Sequence, residues 1–134
     1  MAAILSIKTS CDKISKPLNK EAAKKALEAS IKSALKIAKL ELDPNAKTGF
    51  GLEAKIVSLT ADNEDKPTKI EVKLTIKCSY LGGVTKLITL SNSAFTDGFN
   101  PNKPDAAAAD VIDGVVAALL DKDSKGVKEM LKMP

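Results

Sequence analysis

Two cysteines and a few grouped carboxylates are the side chains in this sequence whose types and spacing could carry chemistry. Cys11 stands in Thr9-Ser10-Cys11-Asp12, flanked by Lys8 and Lys13, and nearby ammonium groups lower a thiol's pKa and favour the nucleophilic thiolate. The plainer expectation is an inert cysteine in a partly exposed loop. Carboxylates gather as Asp110 and Asp113 on one helix face, and as Asp62, Glu64 and Asp65 in a charged stretch. Paired acids can exchange protons or hold a cation, yet neither group has the glycine-turned spacing of a calcium loop or an identifiable partner acid. Both are expected to be solvated surface. The sequence has no histidine, so the commonest general base is missing and no Ser-His or Cys-His pair can be built. Gly82-Gly83 joins two strand patterns rather than a strand and a helix, which excludes a phosphate-cradling loop. No catalytic residue, cofactor or metal site is assigned.

The residue alphabet narrows the partners. All 21 basic residues are lysine, and arginine, tryptophan and glutamine are absent along with histidine. Arginine supplies bidentate recognition of phosphates and bases, and aromatic rings supply stacking for single strands, but aromatics make up only 3% of the chain. A net charge of +4 held by lysine alone then points away from sequence-specific nucleic-acid binding. Two distant cysteines are too few for a disulfide framework or a zinc site, and reduced thiols are expected. Cys78 falls in the apolar phase of a strand, where a free cysteine behaves as a small buried hydrophobe.

The elements that must position these groups follow from periodicity. Residues 3–8 read as a short strand, followed by a polar loop to Pro17. Asn19 is a good N-cap with Leu18 as the staple residue before it, and the helix it opens runs to Leu40. Ala23, Leu27, Ile31, Ala34, Leu35 and Ala38 share one face of it, while Lys25, Lys32, Lys36 and Lys39 cluster opposite. Residues 52–61 read as a strand whose apolar phase switches, which a β-bulge near Ile56 would reconcile. Ile70, Val72, Leu74, Ile76, Cys78 and Tyr80 alternate with polar residues as a half-buried antiparallel strand. A three-residue loop, Leu81 to Gly83, with Gly83 left-handed, would place Val84, Ile88 and Leu90 on the same apolar face. A polar loop over 97–104, with Phe95 and Phe99 beside it, separates the last strand from a second helix over about 104–120. Those rings would either meet a partner or close the end of the core. In the second helix Ala108, Val111, Ile112, Val115, Val116 and Leu119 make a broad apolar arc that predicts contact with both the sheet and another element. Ala107, Gly114 and Ala118 form a small-residue strip where a neighbouring backbone could approach. Asp123 or Ser124 would cap a short final helix with Val127, Met130 and Leu131 facing inward.

The order β-α-β-β-β-α-α predicts a single α+β domain over 1–134: two layers, with an antiparallel three- to four-stranded sheet and helices packed on one face. No apolar run approaches the roughly 18 residues of a membrane span. Met1 to Ile7 reads as a strand rather than a leader, which places the protein in the cytoplasm unless the chain is a processed mature form.

Charge is segregated. Residues 1–40 hold nine lysines against three acids, whereas residues 105–123 hold Asp105, Asp110, Asp113, Asp121 and Asp123 against Lys122 alone. Each patch could equally be a wet helix face. The expected function is a non-catalytic structural subunit that self-associates, of the kind that builds filaments, tubes or virion-like particles, with a homo-oligomer or another protein as partner. The alternative is a monomeric adaptor or small-ligand module using the outer sheet face at Thr75, Ser79, Thr85, Thr89 and Ser91. The third is an enzyme using Cys11 or the surface carboxylates.

Overall fold

The computed structural model describes residues 3–82, 86–121 and 123–131. Helix α1 (Lys20–Ile37) starts where the sequence predicts, because the Asn19 side-chain oxygen accepts the Ala22 N–H at 2.9 Å and satisfies one of the helix's free donors. It stops three residues early. Leu40 N–H bonds to Leu35 C=O at 2.8 Å and Lys39 N–H to Lys36 C=O at 3.2 Å, a closing turn that places Lys39 at φ 61°. Lys39 is therefore off the helix, and the helical period no longer sets its direction. The apolar face, Ala23, Leu27, Ile31, Ala34, Leu35 and Ala38, is buried as expected.

Strand β1 (Ala3–Cys11) is longer than expected, with the inward phase continuing through Ile7 and Thr9 to Cys11. Strands β2 (Gly49–Ala61), β3 (Lys69–Leu81) and β4 (Lys86–Asp97) form the predicted meander, and the sheet order is β1-β2-β3-β4. The expected antiparallel sheet is mixed: β1 pairs with β2 in parallel, because α1 crosses over between them and returns the chain to the same end. The bulge in β2 falls between Ile56 and Ser58, so Leu52, Ala54 and Ile56 before it and Leu59 after it all face the core while Val57 is turned out.

The hairpin keeps the expected phase but not the expected register. Ile88 is buried and Leu90 half-buried on the core side, yet Tyr80 is paired with Lys86 rather than with Val84, a register shifted by two residues. Gly83, Val84 and Thr85 lie outside the described residues.

Helix α2 (Pro104–Leu119) packs on α1 and on β3 and β4, which accounts for the width of its apolar arc. In α3 (Lys125–Leu131) the Ser124 hydroxyl accepts the Val127 N–H at 3.3 Å, and Val127 is fully buried. The side chains of Met130 and Leu131 lie outside what is described. Gly126 is where α3 comes close to β4: a Cβ there would collide with the Leu90 side chain. Among the described residues the helices cover one face of the sheet and none covers the other. No described helix is long and apolar enough to cross a membrane.

Candidate interaction surfaces

The candidate nucleophile is placed in the core rather than in a loop. Cys11 ends β1 with 5% of its surface exposed, and burial, only partly opposed by Lys20 and Lys24, raises its thiol pKa. That is the reverse of activation. Cys78 is fully buried, and burial pushes its thiol up to about 12. Asp62 is a loop clamp: its carboxylate accepts the Thr68 hydroxyl and the backbone N–H groups of Thr68 and Lys69. Those bonds, the Thr68 hydroxyl first, lower its pKa to about 2. Glu64 and Asp65 stand exposed on the same loop. Among the described residues no three histidine, cysteine or acidic side chains are grouped to hold a metal ion.

The two charged helix faces are both open to solvent. Lys25, Lys32 and Lys36 are exposed along α1, and Lys39 follows in its closing turn. Lys32 pairs with Glu28 at 3.3 Å, and Lys24 pairs with Glu21 at 4.0 Å. Asp110 and Asp113 are exposed on α2. The helices lie side by side, and their first turns meet where the Asn19 N–H donates to Asp105 Oδ1 at 2.8 Å. Even so, no ion pair among the described residues links the lysines of α1 to the aspartates of α2. The small-residue strip is not a packing seam within the chain: Ala107 is buried, but Gly114 and Ala118 face outward, and a Cβ on Gly114 would meet nothing within 4 Å.

The bare face of the sheet carries Thr75, Ser79, Thr89 and Ser91, with Thr75 Oγ1 and Ser91 Oγ 3.3 Å apart. A shallow groove of about 460 Å³ crosses β1, β2 and β3 here, lined by Lys8, Ser10, Lys55, Val57, Thr75 and Lys77. Lys55 is held by Asp12 at 3.4 Å. Phe95 and Phe99 separate into different roles. Phe99 packs against the core, whereas Phe95 lies on the outer face of β4, 57% exposed, with Lys69 Nζ 4.6 Å from its ring centre. Leu81 and Leu87 are also exposed on this face. Leu87 sits in the polar phase of β4, and that phase is the sequence signal that it faces out.

A mixed four-stranded sheet with helices on one face and a bare opposite face is a fold with solved counterparts. PelC from Paraburkholderia phytofirmans, a dodecamer, superposes at TM-score 0.52 with 11% identity, over 87% of this chain and 89% of that one. A protein of Caulobacter crescentus CB15 assigned as a lipoprotein superposes at TM-score 0.50 with 15% identity, over 96% and 93%. A minor lipoprotein from Acinetobacter baumannii, 16% identical, gives TM-score 0.46 over 84% and 88%. No protein family and no curated protein sequence matches the chain. Identities this low establish a shared fold. They also correct the cytoplasmic expectation: the fold occurs in a lipoprotein, a class of membrane-anchored or exported protein. An apolar start that folds as β1 is part of the domain, and it carries no information about compartment.

Proposed function

We propose that this protein is a non-catalytic structural subunit that associates with copies of itself, outside the cytoplasm, through the lysine face of α1 and the aspartate face of α2. The observation that carries the reading is the lack of internal pairing. Lys25, Lys36, Asp110 and Asp113 are exposed on adjacent helices, and no ion-pair partner stands within 4.0 Å of them among the described residues. Two complementary patches on one surface set register and partner choice when copies meet. The dodecameric state of PelC, which shares the fold, supports assembly, and the lipoprotein of the same fold supports export. Light scattering over a range of concentrations tests this: the molar mass should rise with concentration above the 14.1 kDa of one chain. Reversing Lys32 and Lys36 to glutamate should weaken association, and reversing Asp110 and Asp113 to lysine in the same chain should partly restore it. A monomer at every concentration would instead favour the adaptor reading, for which the groove at Lys8, Lys55 and Lys77 is the supporting observation.

A further inference from the structure

A sheet with open ends must protect two edge strands, since an unpaired row of backbone N–H and C=O groups invites another strand. The β1 edge is defended. Residues 41–43 pair with it at Ile4, through Ile4 N–H to Glu41 C=O and Asp43 N–H to Ile4 C=O, both at 2.8 Å, and Lys8 stands further along the strand. The β4 edge is not. It runs for 12 residues, and from Leu87 to Thr96 it contains no charged residue and no proline, the two devices that most often blunt an edge. Among the described residues no backbone hydrogen bond reaches β4 from any strand or loop other than β3. Helix α3 flanks one end of it, where Leu87, Thr89 and Leu90 line a hollow with Lys125, Gly126 and Glu129, and leaves the strand from Ser91 onward open.

The sequence of β4 also selects its partner. Leu87 and Phe95, 58% and 57% exposed, lie on the same outer face, each four residues from Ser91. An antiparallel pairing of β4 with itself about a two-fold axis at Ser91 keeps both outer faces on one side of the extended sheet. It sets Leu87 of each copy opposite Phe95 of the other. Aromatic–aliphatic pairs of this kind are the unit of sheet stabilisation, and the backbone would add on the order of ten hydrogen bonds. Shifting the axis by one residue in either direction moves Leu87 opposite Asp97 or Ser93 and loses both apolar pairs. We propose that the free edge of β4 is the pairing edge for a second copy of this chain, antiparallel and centred on Ser91, so that two sheets continue as one; this rests on the reading that the protein self-associates.

Cysteine cross-linking and charge at Ser91 test it on the full chain. In this register Ser91 faces its own copy at a Cα separation of roughly 4.5 to 5.5 Å, within the range a disulfide spans. Ser91→Cys should form a covalent dimer under mild oxidation. Thr89→Cys and Ser93→Cys should each fail alone and cross-link when mixed, because position 89 faces position 93. Ser91→Lys puts two like charges opposite each other at an exposed site, and should raise the Kd of association about fivefold or more. Thermal unfolding of the variants checks that each still folds. Oligomers that persist with unchanged affinity in Ser91→Lys and give no Ser91→Cys dimer overturn this edge while leaving self-association standing. A chain that is monomeric at every concentration overturns both.

Discussion

Cys11 and Cys78 occupy the two ends of the thiol question at single-residue scale, and both have the same answer. Each is surrounded by core side chains, so the thiolate loses hydration, a loss that Lys20 and Lys24 offset only in part at Cys11. For Cys78 the folded pKa is pushed up to about 12 while an unfolded thiol titrates near 8.5. A raised folded value means that the stability it contributes is fully present below about pH 8.5. It is lost as pH rises toward 12, because the unfolded state releases its proton first. The urea midpoint should therefore fall between pH 8 and 10 more steeply in the native sequence than in Cys78→Ala, and both thiols should label far more slowly in the fold than in denaturant. Equal labelling rates in the two states would place the cysteines at the surface. Cys78 was legible in the sequence because five other apolar residues, Ile70, Val72, Leu74, Ile76 and Tyr80, share its phase. Cys11 was missed because Ser10 and Asp12 suggest a loop, although Ile7, Thr9 and Cys11 carry the strand's inward phase to its end.

Helix α2 makes the clearest test at the scale of an element. Gly114 has helical backbone and empty space where a Cβ would go, so alanine there should stabilise the monomer by about 0.5 to 1 kcal/mol by removing glycine's excess freedom in the unfolded chain. Urea unfolding at low protein concentration reads this as a higher midpoint with an unchanged slope. A loss of stability would mean that the helix backbone at Gly114 is closely approached after all. The elements themselves were largely readable: the capped first helix, the bulge in β2 and the alternation of β3 each follow from local side-chain chemistry. What local pattern does not carry is the pairing between elements. Register along β4 depends on a connection whose length the period-2 pattern leaves free by two residues, and the parallel β1–β2 pair depends on the path of a whole helix. The charged faces were readable as faces. Their lack of internal partners, and the undefended edge of β4, exist only once α1 and α2 are side by side and the strands are in order.

At the scale of the whole molecule, the two proposed contacts differ in symmetry and in physics, and together they make a distinct pattern. The β4 edge meets itself across a two-fold axis, so it joins copies in pairs and any closed assembly that uses it contains an even number of chains. The helix contact is made of exposed ion pairs, each contributing about 0.2 to 1 kcal/mol and screened over roughly 8 Å at physiological salt. Backbone pairing and the burial of Leu87 and Phe95 carry little salt dependence. Raising salt should then dissolve the helix contact first and leave β4-linked dimers, at twice the 14.1 kDa of one chain. The variants should divide in the same way. The double reversal of Lys32 and Lys36 to glutamate should stop at that dimer, Ser91→Lys should leave the smaller species that the helix faces hold together, and only the combined variant should reach the monomer. Molar mass by light scattering at fixed concentration distinguishes these states. A single variant that goes straight to the monomer would show that one interface holds every copy, and an assembly with an odd number of chains would exclude the two-fold edge.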